Sequence, residues 1–316
     1  MFRILITDDI GPAGLTLLNA AADVEHDTVK LPSPEKLREI IGAYDAVITR
    51  SGTPLTAEVF AAGKRLKVAG RAGVGMDNIE IDAATLQGIL VMNTPEANTL
   101  AAVELTLALM LALCRKLPQA NASLKKGEWT RSRFLGTQLS GKTLGVIGLG
   151  RIGSRVAARC QAFGMTVIAY DPYIAEEAAD RIHVRLVGDL DELVRTADLV
   201  TVHTPLTAET KGMIGAAEIA RMKDGVLLIN CARGGIMDEA ALFEGLSGGK
   251  IAGLGIDVYS VEPPKKDLLR RLLARDEVVA TPHLGANTVE AQRDVAVQVV
   301  QQVIEALRGE NFRNVV

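Results

Sequence analysis

Residues 142–171, KTLGVIGLGRIGSRVAARCQAFGMTVIAYD, constrain the fold more than any other stretch of the chain. An apolar, strand-like run leads into Gly148, Gly150 and Gly153 in G-x-G-x-x-G spacing. A helical stretch then runs to Gly164, and a second apolar run ends at Asp171. In such a unit the first glycine permits a tight turn, the second lets backbone approach a pyrophosphate, and the third lets helix pack closely on sheet. The helix opens with Arg151 and Ile152, where free amides and the helix dipole would hold that pyrophosphate. Asp171 lies eighteen residues beyond Gly153, placed to accept hydrogen bonds from ribose hydroxyls and to repel a 2′-phosphate. A glycine triplet alone is a weak signal, because turns and close packing also select glycine. Strand, helix, second strand and terminal acid together imply a dinucleotide site. Pro172 and Tyr173 follow Asp171 where basic residues would welcome a 2′-phosphate, so NAD is favoured over NADP.

The rest of the chain repeats this alternation of short aliphatic runs and amphipathic stretches, the signature of parallel α/β architecture. Strands are expected at Phe2–Thr7, Ala46–Thr49, Lys67–Gly70 and Ile89–Asn93, with helical stretches between them. A long helix, apolar on nearly every face, should follow from Leu100 to Arg115 and be buried between domains or subunits. The polar segment 125–141 leads to a second series of strands at Thr143–Ile147, Thr166–Tyr170, Leu199–His203, Val226–Asn230, Gly253–Asp257 and Val278–Ala280. A final amphipathic helix spans about Thr288 to Leu307, before a short terminal strand piece at Phe312–Val316. At 316 residues, two domains are the default.

Bulk properties exclude several functions. With 35 basic and 38 acidic residues the formal charge is -3, so nothing draws the chain as a whole to nucleic acid or to an anionic membrane. Aromatic residues are too few, at 3%, for base-stacking platforms. Cys114, Cys160 and Cys231 are scattered, which suits neither a disulfide framework nor a metal knuckle and reads as a reducing compartment. No signal peptide or membrane span is recognisable, and a soluble cytoplasmic protein without a metal is expected.

Three later strand ends each present a polar group. Asn230-Cys231-Ala232-Arg233-Gly234-Gly235 places Arg233 just past one strand, and Asp257-Val258-Tyr259-Ser260-Val261-Glu262-Pro263 places Asp257 and Glu262 past the next. Thr281-Pro282-His283-Leu284-Gly285 offers a histidine past a third. Ligands of doubly wound sheets bind beyond the carboxyl ends of strands. A lone Arg is usually a surface ion-pair partner and a lone His usually structural, but their joint appearance at successive strand ends suits one chemistry. Oxidising a secondary alcohol by hydride loss leaves a proton, which His283 would accept near neutral pH. Glu262 would orient His283 and stabilise its imidazolium. Arg233 would grip a substrate carboxylate through two hydrogen bonds and polarise the developing carbonyl.

The motifs NCARGG, DVYSVEPP and TPHLGA, together with GLGRIG, resemble those of the D-2-hydroxyacid dehydrogenases, over essentially residues 1 to 310. The resemblance implies that Arg233, Glu262 and His283 are catalytic, and that Asp257 contacts the nicotinamide carboxamide. It places His203, Thr204, Pro205, Cys231 and Gly285 beside the cofactor too. His203 is read as part of a backbone contact region rather than a base, and Cys231 as a small buried residue rather than a reactive thiol. The architecture implied is two doubly wound parallel-sheet domains. A Rossmann cofactor domain, 98–285, is inserted into a flavodoxin-like substrate domain of 1–97 and 286–316, with the site in the cleft between them.

Within that family the stretches RAGVGMDN, NTPEANTLAAVELT and PQANASLKKGEWTRSRFLGTQLSGKTLG are most similar to phosphoglycerate dehydrogenases, which implies a phosphorylated 2-hydroxy acid as substrate. A phosphate needs cations beyond the carboxylate clamp. Arg50 and Arg71 would supply them, with Ser51, Gly73 and Asn98 adding neutral contacts. Arg131 and Arg133 lie on a segment that crosses to the partner subunit in these relatives, so one of them would complete the neighbouring site of a homodimer or homotetramer; the bland alternative is a solvated charge pair. Many such relatives carry a C-terminal serine-binding domain, whereas this chain stops at Val316, so feedback through such a domain is not expected. Two other readings stay open. One is a glyoxylate or hydroxypyruvate reductase, with the same chemistry and no phosphate site. The other is an NAD-sensing corepressor, which can also retain Arg233, Glu262 and His283 and would turn over slowly with every 2-oxo acid.

Overall fold

Twelve strands form two separate, wholly parallel sheets in the computed structural model, which describes residues 1–316. In chain order the first sheet uses β1 (Phe2–Ile6), α1 (Gly11–Ala20), β2 (Val24–Thr28), α2 (Pro34–Ile40), β3 (Ala46–Thr49), α3 (Ala57–Ala62), β4 (Val68–Arg71), α4 (Ile81–Leu86) and β5 (Leu90–Met92). The second follows α5 (Thr99–Arg115) and α6 (Leu117–Lys125) with β6 (Thr143–Ile147), α7 (Arg151–Ala162), β7 (Thr166–Tyr170), α8 (Glu176–Asp180), β8 (Arg185–Leu186), α9 (Leu190–Thr196) and β9 (Leu199–Val202). It continues with α10 (Ala216–Arg221), β10 (Val226–Asn230), α11 (Glu239–Ser247), β11 (Ile251–Ile256), α12 (Asp267–Leu273) and β12 (Val278–Ala280). The last helix, α13 (Val289–Arg308), belongs with the first sheet. One unit therefore comprises Met1–Leu100 and Ala286–Val316, and the other Ala101–Gly285.

In the first unit the strand order is β2-β1-β3-β4-β5. Helix α13 closes one face of this sheet, and the reason is local. Thr288 caps its start by accepting Ala291 N at 3.1 Å, and Gly309 ends it at φ +74°, the left-handed stop that glycine adopts without penalty. Its Val299 and Val303 are fully buried, each contributing about 1.5–3 kcal/mol of burial. They sit over Gly70 of β4, where an added Cβ would lie 2.5 Å from Val303 Cγ2. Val315 makes an isolated antiparallel bridge to Met92, the short terminal pairing expected from sequence.

The second unit has strand order β12-β11-β10-β9-β6-β7-β8. The order reverses at β6, which pairs with β7 on one side and β9 on the other, so the topological switch lies at the glycine turn. Strand β11 reads IAGLGI, and its Gly255 would place a Cβ 3.1 Å from Leu109 Cβ of α5, so small residues admit that helix to the sheet.

Two strands, β2 and the two-residue β8, were missed from sequence. Strand β2, VEHDT, is an edge strand paired only with β1 and largely open to solvent, so it lacks the aliphatic run of a doubly covered strand. Helix α5, expected to be buried between domains or subunits, leaves Leu100, Glu104 and Ala108 exposed and Leu107, Leu111 and Leu113 half-buried in the single chain.

Candidate active site

The glycine turn between β6 and α7 shows three distinct demands for glycine. Gly148 takes φ +89°, open to glycine at little cost. At Gly153 an added Cβ would lie 2.0 Å from Gly148 O, so helix and turn touch there. At Gly150 an added Cβ would meet nothing within 4 Å. Packing of the protein therefore does not require glycine at that position; the open space suits a pyrophosphate approaching the first amides of α7, where Arg151 is exposed and Ile152 half-buried. Asp171 accepts Leu149 N at 2.8 Å on Oδ2 and Tyr173 N at 3.0 Å on Oδ1. A carboxylate has about four acceptor sites, leaving capacity on both oxygens for ribose hydroxyls. Thr204 Oγ1 is buried without a partner, and its Cγ2 lies 2.8 Å from a Cβ built on Gly148, so an unsatisfied hydroxyl borders the same turn. These residues fit a bound dinucleotide.

His203 precedes Thr204 and exposed Pro205. Its backbone N–H continues the sheet by donating to Ile147 O at 2.7 Å, and its Nε2 contacts Thr201 Oγ1 at 3.0 Å. Loss of hydration drives its pKa down to about 3, so the ring stays neutral at ordinary pH. Burial pushes the Cys231 thiol up to about 12, which makes it a poor nucleophile.

Strands β10, β11 and β12 lie side by side in register, Asn230 opposite Ile256 and Ile256 opposite Ala280. Their trailing loops therefore start at one level. The first carries Arg233. Asn230, buried, accepts Ala232 N at 3.0 Å and donates to Arg233 O at 2.9 Å, while Arg233 Nη1 donates to Ala232 O at 2.7 Å. The next loop carries Glu262, whose Oε1 accepts Tyr259 N at 3.1 Å. The third carries His283, whose Nδ1 lies 2.7 Å from Glu262 Oε2. His283 has φ +54°, in the left-handed region that residues other than glycine adopt uncommonly. Its N–H donates to Asp257 O at 2.9 Å and to Thr281 O at 3.1 Å.

Asp257 is 0% exposed. Its carboxylate accepts Thr281 Oγ1 at 2.6 Å, Leu284 N at 2.7 Å and Gly285 N at 2.9 Å. Burial raises its pKa, against the lowering influence of those three donors. Asp257 and Gly285, expected beside the cofactor, are thus joined to each other, and the buried carboxylate serves first to hold the His283 loop. Tyr259 adds a further tie, donating from its hydroxyl to Thr281 O at 2.8 Å. Sequence reasoning assigned no role to Asn230, Tyr259 or Thr281, although all three stand inside the quoted motifs.

The other candidates divide between the units. Arg50 follows β3, Arg71 ends β4 and Asn98 lies beyond β5, three neighbouring strands of the first unit. Arg50 Nη1 donates to Asp9 O at 3.3 Å, and Arg71 Nη1 to Ala72 O at 3.4 Å. Gly73 has φ +141°, and an added Cβ would lie 1.7 Å from Arg71 Nη1, so the guanidinium lies directly against that glycine. Ser51 is exposed, and Asn98 Oδ1 is buried without a partner. The Arg50–Thr53 loop is held by Asp8 and Asn78, both missed from sequence. Asp8 accepts Gly52 N at 3.1 Å, and Asn78 donates to Arg50 O and Thr53 O, each at 2.7 Å. Arg131 and Arg133 lie on a single 3-10 turn of the second unit, both exposed, with Arg133 3.8 Å from Glu128.

Residues 107–285 match the family described as D-isomer specific 2-hydroxyacid dehydrogenase, NAD binding domain. A D-3-phosphoglycerate dehydrogenase of Methanocaldococcus jannaschii is 49% identical over all 316 residues, which cover 59% of that protein. This chain spans little more than half the length of the curated relatives it matches. Among solved structures, a glyoxylate reductase from Paecilomyes thermophila matches with TM-score 0.91 and 32% identity, covering 100% of this chain and 98% of that one. A D-lactate dehydrogenase from Aquifex aeolicus, complexed with NAD and lactic acid, matches with TM-score 0.89 and 31% identity over 99% and 98% of the two chains. Glycine turn, strand-end loops and whole-chain likeness agree: the chain belongs to the D-isomer specific 2-hydroxyacid dehydrogenase family and carries its NAD-binding domain.

Proposed function

We propose that the chain oxidises 3-phospho-D-glycerate to 3-phosphohydroxypyruvate with NAD, a step that feeds serine biosynthesis, and runs the reverse reduction with the same residues. The observation that carries the chemistry is the 2.7 Å contact between His283 Nδ1 and Glu262 Oε2. A carboxylate only accepts, so it holds the imidazole proton on Nδ1 and leaves the Nε2 lone pair for the substrate. His283 Nε2 takes the C2 hydroxyl proton as the O–H electron pair becomes the second carbonyl bond. Arg233 holds the substrate carboxylate and stabilises negative charge on the reacting oxygen. NAD, when bound, supplies the acceptor for the hydride leaving C2.

The phosphate is assigned to Arg50 and Arg71, aided by Ser51, Asn98 and the backbone at Gly73. Support comes from the D-3-phosphoglycerate dehydrogenase that matches throughout this chain. The test is NADH oxidation with 3-phosphohydroxypyruvate against unphosphorylated hydroxypyruvate. Two charged contacts of about 1.5–3 kcal/mol each predict a preference of roughly a hundredfold or more in kcat/KM. A ratio near one moves the assignment to the reductase reading, which the likeness to a glyoxylate reductase favours. An Arg233→Ala variant with normal kcat/KM contradicts the mechanism under either reading.

The same proposal includes a homodimer in a reducing, cytoplasmic setting. Trp129 and Leu135 are 78% and 81% exposed, and Leu117 and Leu124 of α6 are exposed as well; apolar side chains of this size left open are what a partner surface would cover. Arg131 or Arg133 would then reach the partner's site. The three cysteines are free and buried, and no helix is long and apolar enough to cross a membrane. Sedimentation of a Trp129→Glu variant checks the interface, with a monomer as the expected product.

A further inference from the structure

We propose that Glu239 is a positioning residue for the Glu262–His283 pair, acting through the peptide between Tyr259 and Ser260. Glu239 is the first residue of α11, and the neighbouring Asp238 caps that helix by accepting Ala241 N at 2.8 Å. Glu239 is therefore not spent on its own helix. Both its oxygens turn to the β11 loop, Oε1 accepting Ser260 N and Oε2 accepting Ser260 Oγ, each at 2.7 Å. Ser260 is otherwise exposed, and nothing else in an open loop would demand a two-point charged grip.

The same peptide is fixed from its other side. A Cβ on Gly234 would lie 1.9 Å from Tyr259 C and 2.5 Å from Ser260 N, so the Arg233 loop rests backbone to backbone on the Glu262 loop. Glu239 and Gly234 thus hold one peptide between them. From there the connection to the base is short. Tyr259 N donates to Glu262 Oε1 at 3.1 Å, and Glu262 Oε2 faces His283 Nδ1 at 2.7 Å. Releasing Ser260 frees Tyr259 N to move, and with it the carboxylate that fixes the imidazole tautomer. Glu239 bonds Ser260 and neither Glu262 nor His283, so it acts through the loop to set where the base points.

The inference rests on the dehydrogenase reading for its kinetic consequence only, so it is tested first without turnover. Nitrogen-15 histidine spectra near neutral pH, with His283→Gln to assign the ring, should show a single Nδ1–H tautomer in the wild-type protein. Glu239→Ala should show both tautomers in exchange. Glu239→Gln should restore the wild-type pattern, since its amide oxygen accepts Ser260 N–H and its amide nitrogen donates to a reoriented Ser260 hydroxyl. In turnover, Glu239→Ala should lower kcat about 10- to 100-fold with NADH affinity unchanged, and Glu239→Gln should recover. Ser260→Ala removes one of the two bonds and should give a smaller change in the same direction, which keeps the test open should Glu239→Ala fold poorly. An unaltered tautomer in Glu239→Ala, an unaltered kcat in an active preparation, or a Glu239→Gln no better than Glu239→Ala overturns the inference. A wild-type protein without turnover on any 2-oxo acid contradicts the dehydrogenase reading instead, and the spectra still decide the role of Glu239.

Discussion

Each unit places a buried carboxylate just past a strand and uses it to hold a neighbouring loop, and the two cases differ instructively. In the second unit Asp257 follows β11 and receives Thr281 Oγ1, Leu284 N and Gly285 N. In the first, Asp8 follows β1 and receives Thr7 Oγ1, Thr49 Oγ1 and Gly52 N. Both fix a loop backbone carrying a candidate residue, His283 or Arg50. Only the second unit also fixes the side chain, because Glu262 grips His283 at 2.7 Å whereas Arg50 reaches only a carbonyl at 3.3 Å. The contrast follows from what each residue is asked to do. Proton transfer needs one nitrogen at hydrogen-bond distance, while a guanidinium at the end of a long stem can find a phosphate over a range of positions.

The largest expected effect tests the rigid half. His283→Gln should lower kcat/KM about a thousandfold, within the usual span for removing a general base, while NADH titration by fluorescence stays near wild type. A mild loss would show that the Glu262-oriented imidazole is not the base.

The carboxylates come next. Thr7 Oγ1 has a second acceptor in Ile48 O, and Thr49 Oγ1 has Arg50 O and Thr53 O, so losing Asp8 strands chiefly the Gly52 amide. Losing Asp257 strands a hydroxyl and two amides. Asp257→Ala should therefore cost about 3 kcal/mol or more and Asp8→Ala about 1–2 kcal/mol, read from denaturant midpoints. Equal losses would break the comparison.

Arg50→Met should reduce the preference for phosphorylated over unphosphorylated acid by about 10- to 100-fold, the worth of one charged hydrogen bond, leaving the rate on the unphosphorylated acid unchanged. The remaining effect depends on pH and concerns His203. Its unfolded-state pKa is near 6.5 and its folded value about 3, so the unfolded chain takes up the proton first as pH falls. The stability from keeping this ring neutral is fully present above about pH 6.5 and is lost between there and about 3, at up to about 1.4 kcal/mol per pH unit. His203→Gln should flatten that acid limb in pH-dependent melting; an unchanged slope assigns the proton uptake elsewhere.

Much of this was legible because it is local. The β6 turn announces itself through glycines whose φ, packing or open space is set within a few residues, and the aliphatic runs of β3, β6, β9 and β10 are strands buried on both faces. Strand β2 was not legible, because an edge strand open to solvent need not be apolar. Helix α6 escaped notice for a related reason: of LPQANASLK only Ser123 is buried. The motif residues Arg233, Glu262 and His283 could be named from their strand-end positions, but the contacts that hold them could not. Glu239 meets Ser260, and Asp8 meets Gly52, only after parallel strands bring distant residues to one sheet edge, and no spacing in the sequence encodes such pairs.

The most direct test of the division between the units is the ratio of kcat/KM for 3-phosphohydroxypyruvate over hydroxypyruvate, measured together in wild type, His283→Gln and Arg50→Met. The account predicts a ratio of roughly a hundred or more in wild type, the same ratio at far lower rates in His283→Gln, and a ratio lowered about 10- to 100-fold in Arg50→Met. A wild-type ratio near one, or a ratio that collapses in His283→Gln while surviving in Arg50→Met, would contradict it.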